Sequence, residues 1–242
     1  MSIESISTKN LEALKGNPYP GRGIITGLSP DGKNFIQVYW IMGRSENSRN
    51  RIFVNDSGTV KTKAYDESKV KDPSLIIYNS NRNLGNCHIV SNGDQTDTIF
   101  DEMKSGKGFD VSLDTRTFEP DEPNYTPRIS GIVNLDDSKY AYQLSILKAM
   151  NNNPDYCSKQ FFNYEKGIAG IGHCIQTYVT DGNPLPPFEG EPYLLPLFND
   201  IEETAAKYWE TLNEDNKISL AVKYVNIETK EYNYKIINKH SA

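Results

Sequence analysis

The chain has 242 residues and a formal charge of −6, with 37% hydrophobic and 24% charged residues, 15 Tyr and 9 Phe. That is one large domain or two small ones, too aromatic for disorder to be its main state, and its acidic balance argues against general nucleic-acid binding, which needs a basic face. No apolar run approaches the roughly 18 residues of a membrane span, and the N-terminal stretch lacks the apolar core of a secretory signal, so a cytoplasmic protein without a membrane partner is expected.

Residues 1–20 read as a polar leader with a short helix around Leu11 and Leu14, ended by Gly16 and by Pro18 and Pro20. A single domain over 21–242 follows. GRGIITGL (21–28) and NFIQVYWIMG (34–43) are strands across an Asp31-Gly32 turn, where glycine supplies the positive φ of a tight hairpin. The arginine-rich stretch 44–51 is a loop, and RIFVND (51–56), SLIIYNS (74–80) and CHIVSNG (87–93) are further short strands. A helix is predicted over 97–106, stopped by Gly106 or Gly108 and capped by Thr96 or Asp97. Strands at 128–135 and 140–147 flank a DDSK turn, and a glycine-flanked strand lies within 167–181. NPLPPFEGEPY (183–193) is too rich in Pro and Gly for a regular element. The clearest helix is 200–214, where Ile201, Ala205, Tyr208 and Leu212 recur at helical spacing. A hairpin of 218–227 and 232–238 closes the chain. Many strands and few helices predict a layered α+β domain.

The seven arginines, Arg22, Arg44, Arg49, Arg51, Arg82, Arg116 and Arg128, all fall in the first 128 residues. Three lie within GRSENSRNR (43–51). Arginine is the planar, permanently charged donor suited to phosphate or carboxylate, so this stretch is a candidate anion site or a solvated basic turn. The three cysteines, Cys87, Cys157 and Cys174, cannot complete a disulfide framework. Cys87-His88 and His173-Cys174 are adjacent pairs pointing to opposite strand faces, which is not metal-ligand spacing; no metal is expected. There is no nucleophile elbow, phosphate loop or dinucleotide fingerprint, and GIAGIGH (167–173) fits none of them.

What remains are polar segments beside strand ends: GRSENSRNR, IIYNS, IVSNGDQTDTI (89–99), FEPDEPNYTPRI (118–129) and HCIQTYVTDGNPLPPFEGEP (173–192). In this order they resemble the archaeal-type inosine monophosphate (IMP) cyclohydrolase family, most specifically in VSNG-x-x-TDTI and E-x-D-x-x-N…TPRI. The resemblance covers roughly residues 21–135. It implies a four-layer αββα sandwich like that of the N-terminal nucleophile hydrolases, but without an N-terminal nucleophile, because the first strand begins near Gly21-Arg22. It also implies closure of 5-formamidoimidazole-4-carboxamide ribotide to IMP and water, with no cofactor and a small purine nucleotide as the partner. By motif position Arg49, Tyr78 and Glu119 carry the chemistry. Arg49 would bind and orient the substrate, Tyr78 would donate a hydrogen bond or relay a proton, and Glu119 would manage protons. The loop composition leaves Arg49 and Arg51 interchangeable. Arg44, Arg51, Asn79, Asn92, Thr96, Asp97 and Arg128 are candidate substrate contacts, with Arg128 equally able to pair with Asp121 or Asp97. An amide hydrolase on the same fold and a non-catalytic purine-nucleotide binder are the alternatives. A homo-oligomer stays open, with the Tyr-rich C-terminal strands as a candidate interface.

Overall fold

In the computed structural model, which describes residues 2–70, 73 and 75–240, helix α1 (Ile3–Lys15) precedes the strands β1 (Gly23–Leu28) and β2 (Asn34–Met42). The short helix α2 (Glu46–Arg49) leads into β3 (Arg51–Asp56), β4 (Thr59–Ala64), β5 (Asn79–Leu84) and β6 (Cys87–Ser91). Helices α3 (Gln95–Lys104) and α4 (Phe109–Ser112) come next, then β7 (Arg128–Asn134), β8 (Tyr142–Met150), β9 (Asn153–Tyr164), β10 (Ile171–Gln176) and β11 (Tyr193–Pro196). Helix α5 (Ile201–Thr211) and the hairpin of β12 (Lys217–Asn226) and β13 (Tyr232–Asn238) complete the order. The strands form two antiparallel sheets: one ordered β11-β10-β1-β2-β12-β13, the other running β3 to β9 in chain order.

Strand alternation sorts the side chains into layers. In β2, Ile36, Val38, Trp40 and Met42 pack with Leu11 and Leu14 of α1 and with Ala205 and Tyr208 of α5. Tyr39 and Ile41 point the other way, against Phe53, Val60, Val90 and Ile129 of the second sheet. Its continuous apolar character thus reflects burial on both faces. On the outer face of the second sheet, Ile99 and Phe109 of α3 and α4 pack on Ile89, Ile132 and Leu147. The protein is therefore a mixed α+β structure of two facing antiparallel sheets, with α1 and α5 on one outer face and α3 and α4 on the other.

The stretch read from the sequence as a leader contributes to this packing, since Leu11 and Leu14 are only 6% and 3% exposed. Leu14→Ala is expected to cost about 2–5 kcal/mol of stability, measured by urea unfolding, as cavities in packed cores do. Three strands, β4, β9 and β11, were not foreseen. The strand expected at 74–80 begins only at Asn79, and Ser74 lies outside the described residues. Arg44–Arg51 is not wholly a loop: Ser45 caps α2, its hydroxyl and that of Ser48 each accepting from the other's backbone N–H. Helix α3 starts earlier than expected, with Asp94 at the cap position. Thr96 instead turns its hydroxyl back to the Gly93 carbonyl at 3.0 Å, and Asp97 is taken up by Arg82 at 2.8 Å, so neither caps the helix.

One polar cluster lies between the sheets. Lys223, 1% exposed, places Nζ 2.7 Å from His88 Nδ1 and also contacts Asn83 Oδ1. Burial pushes the lysine well below its usual range, and burial together with Lys223 pushes His88 down to about 3.

Candidate active site

A cavity of about 280 Å³ opens where the ends of β1, β2 and β3 meet the segments 118–126 and 178–185. It is close to the lower size limit of ligand pockets, about 300 Å³. Arg22, Arg44, Arg51, Glu119, Asp121 and Tyr178 line it, so three of the seven arginines converge there.

The deepest feature is an ion pair. Arg22 stands just before β1 and sends Nη2 to Glu119 Oε1 at 2.9 Å and Oε2 at 2.8 Å. The side chains are 11% and 3% exposed. Burial pushes the Glu119 carboxyl up from its usual range, while the positive charges of Arg22 and Arg128 pull it down. Burial also works against the charge on Arg22, but Glu119 and the neighbouring Tyr78, Tyr178 and Tyr39 outweigh it and hold the guanidinium protonated. The site thus pairs a fixed cation with a carboxyl for which burial favours the neutral form and Arg22 the ionised one.

Glycines let the backbone come this close. Gly21 has φ +73°, and a Cβ there would fall 2.1 Å from Thr177 Oγ1 and 2.5 Å from the Tyr178 ring. A Cβ on Gly93 would fall 2.6 Å from Gln95 Oε1, 2.7 Å from Arg128 Nη1 and 3.5 Å from Glu119 Oε1. The turn between β6 and α3 therefore forms the support beneath Glu119.

Arg51 opens β3 and is 2% exposed. Its Nε donates to the Ser48 carbonyl at 2.8 Å, but its Nη1 has no hydrogen-bond partner among the described residues, and neither has Arg22 Nε. A buried donor left unpaired costs about 1–3 kcal/mol, so two on cations beside one cavity mark a place prepared for acceptors. At the mouth, Arg44 Nη1 meets Asp181 at 2.5 Å and the Gly182 carbonyl at 3.0 Å. The 178–185 segment is held from the other side by Leu185 N donating to Asn124 Oδ1 at 3.0 Å.

The residues singled out from the sequence divide into two groups. Glu119, Arg44 and Arg51 meet in the cavity. Arg49 does not: it donates to Asn216 Oδ1 at 3.0 Å from the far side of α2 and lines a separate groove with Tyr65 and His240. Arg49, the last residue of α2, and Arg51, the first of β3, thus point to different places, and of the two Arg51 lines the cavity. Tyr78 is buried with its hydroxyl 2.7 Å from that of Tyr39, whereas Leu75 and Ile76 of the same segment line the cavity. Asn92 commits its amide to Pro127 O, Ile129 N and Gln95 Nε2 at 2.8–2.9 Å, and Thr96 bonds to Gly93 O and Ser91 Oγ. Asn92 holds the β6–α3 turn against β7, and Thr96 ties the turn to itself. Asn79 and Asp97 bond to each other in another surface groove with Arg82. Arg128 pairs with neither Asp121 nor Asp97. It reaches Asp94 at 2.6 Å and Gln95 Oε1 at 2.7 Å, because these two stand directly above it at the start of α3.

Sequence reasoning missed Arg22, Tyr178, Thr126 and Asp121 as a group. The available signal was position: Arg22 lies between two glycines at the head of the first strand, and Tyr178 follows the last residue of β10 by two. His173 lies between the sheets, stacked 3.9 Å from Tyr164 with Nδ1 2.8 Å from Tyr142 Oη; burial pushes it down to about 4. Among the described residues no group of three or more His, Cys, Asp and Glu side chains comes together as a metal site. No helix among them is long and apolar enough to cross a membrane.

Fold and cavity define an α+β protein with an arginine-lined pocket built around a buried ionisable pair. The chain belongs to the IMP cyclohydrolase-like protein family, whose model matches residues 19–231. Similar proteins include the IMP cyclohydrolases of Methanococcus maripaludis, 34% identical over 130 residues in one strain and 30% over 128 in another. The IMP cyclohydrolase of Methanopyrus kandleri is 35% identical over 116 residues. The matches cover 51% of this chain and 62% of the Methanococcus relatives, and 46% and 57% for Methanopyrus.

Proposed function

We propose that the protein is an IMP cyclohydrolase: it closes 5-formamidoimidazole-4-carboxamide ribotide to IMP and water in the last step of purine-ring synthesis. The observation that carries this reading is the buried Arg22–Glu119 pair in a cavity also lined by Arg44 and Arg51. The reaction needs no covalent intermediate. The carboxamide nitrogen attacks the formyl carbon, giving a tetrahedral carbinolamine that loses water. Holding the two arms of the substrate together contributes most, since well-oriented intramolecular reactions gain up to about 7–11 kcal/mol.

Arg44 and Arg51 supply cationic donors for the phosphate or other polar substrate oxygens, the role first given to Arg49. Glu119 exchanges a proton at the reacting oxygen, and the Arg22 cation stabilises the carboxylate left behind. Tyr78, through Tyr39, positions this corner of the site, and Asn79, Asn92, Thr96, Asp97 and Arg128 act as its scaffold. The four-layer arrangement is that of the N-terminal nucleophile hydrolases, formed as one domain over 21–242 with α1 packed on it, and placed in the cytoplasm. Arg22 occupies the head of the first strand, where that fold carries its nucleophile, which favours a cyclohydrolase over an amide hydrolase.

The test is turnover of the formamido ribotide, followed by absorbance, alongside calorimetric binding of IMP. Binding without turnover sinks the enzyme reading in favour of a nucleotide-binding protein. Arg51→Met is expected to raise KM about 10–100-fold, corresponding to the roughly 1.5–3 kcal/mol of a hydrogen bond to a charged group. Arg49→Met should leave it near wild type. The reverse order would return the role to Arg49.

A further inference from the structure

Beside the Arg22–Glu119 pair the cavity wall carries a second hydrogen-bonded chain, in which Tyr178 from the C-terminal half meets Thr126 and Asp121 of the 118–129 segment. Tyr178 is 2% exposed and stacks on Tyr19 with ring centroids 6.0 Å apart. Its hydroxyl is hydrogen-bonded to Thr126 Oγ1, and Thr126 Oγ1 in turn to Asp121 Oδ2. The Thr126 backbone N–H donates to the other oxygen, Asp121 Oδ1, at 2.6 Å. All three residues line the cavity.

The direction of this chain is set by its end. A carboxylate can only accept, a threonine hydroxyl has one proton, and a phenol has one proton. Asp121 takes the Thr126 proton, so Thr126 must accept from Tyr178. The phenol's proton is thereby committed to the wall, and the oxygen presents a lone pair to the cavity. Glu119 and Arg22, which face the same space, are a carboxyl and a donor. Tyr178 is thus placed to receive an N–H.

Resting on the cyclohydrolase reading, we propose that Tyr178 is a further catalytic residue, the acceptor of the carboxamide N–H proton, with Thr126 and Asp121 as the positioning residues that carry the proton away. In ring closure the carboxamide nitrogen pair forms the new C–N bond and the formyl C=O π pair becomes O–H with a proton from Glu119. The surplus N–H proton passes to Tyr178 as Tyr178 passes its own to Thr126 and Thr126 its own to Asp121. In dehydration the C–O bond breaks, the relay runs backwards to complete the departing water, and the formamido N–H proton restores Glu119. Both carboxyl groups end as they began.

The experiment is steady-state turnover and IMP calorimetry on Tyr178→Phe, Thr126→Val and Thr126→Ser in the full-length protein. Tyr178→Phe and Thr126→Val should lower kcat about 10²–10⁴-fold, the usual range of acid–base contributions, with KM and IMP binding little changed. Thr126→Ser keeps the hydroxyl and should keep kcat within a few-fold of wild type. Wild-type turnover in Tyr178→Phe, or equal losses in Thr126→Ser and Thr126→Val, would overturn the relay while leaving the cyclohydrolase reading intact. A wild-type protein that binds IMP without turnover would overturn both.

Discussion

Glu119→Gln should lower kcat about 10²–10⁴-fold with little change in IMP affinity, because the amide keeps the shape of the side chain but cannot exchange the proton. The wild-type pH profile carries the same signature. Burial raises the Glu119 carboxyl, and the group must be protonated to act as the acid, so kcat should fall as pH rises through that raised pKa. The limb should vanish in Glu119→Gln. Stability follows the same sign. A carboxyl raised in the folded state binds its proton more tightly there than when unfolded; its contribution is full below the unfolded value and is lost as pH rises through the folded one. Normal turnover by Glu119→Gln would remove Glu119 from the chemistry.

The second large effect concerns the partner. Arg22→Met leaves Glu119 buried without its cation, and breaking a buried pair from one side costs about 3–5 kcal/mol. Urea unfolding should show that loss. Replacing both partners with apolar residues of similar size is often neutral, so Arg22→Met combined with Glu119→Leu should recover much of the stability and none of the turnover. The two readouts therefore separate: the double variant folds better than Arg22→Met and is no more active. Equal stability of the single and double variants would mean that the pair does not behave as a coupled unit.

Much of the architecture could be read from the chain because burial leaves a local signal. β2 and β12 announce themselves as short apolar runs buried on both faces and appear within one residue of their expected bounds, and α5 announces itself through helical spacing, ending three residues short of its expected end. Less visible were β4 (TVKTKA) and β9 (NPDYCSKQFFNY), which are polar because one face or an edge meets solvent; their pairing partners make them strands. The site divides similarly. Glu119 stands in a specific motif and lies in the cavity. The different placement of Arg49 and Arg51 depends on where α2 ends and β3 begins, one residue apart, a geometric fact absent from composition. Asn92 and Thr96 looked like ligands because their residue types suit a base, yet the same donors and acceptors suit a tight turn equally well. Arg22 and Tyr178 are distant in sequence, and it is the β1–β10 pairing, continued by the Arg22 N–H to Thr177 Oγ1 bond at 3.1 Å across 155 residues, that brings them together.

The Arg44–Asp181 contact at the cavity mouth differs in kind from the pair inside. Its side chains are 37% and 47% exposed, and ion pairs so open to water contribute only about 0–1 kcal/mol. Arg44 is therefore held in a fixed direction at almost no thermodynamic commitment. On the cyclohydrolase reading proposed above, a substrate phosphate arriving at the mouth would exchange places with Asp181 instead of breaking a strong bond, and the guanidinium would not need to search for its geometry. Dissolved salt weakens the resting contact and the incoming one alike, so such an exchange would stay nearly balanced across ionic strength, while the buried pair beneath it is screened much less.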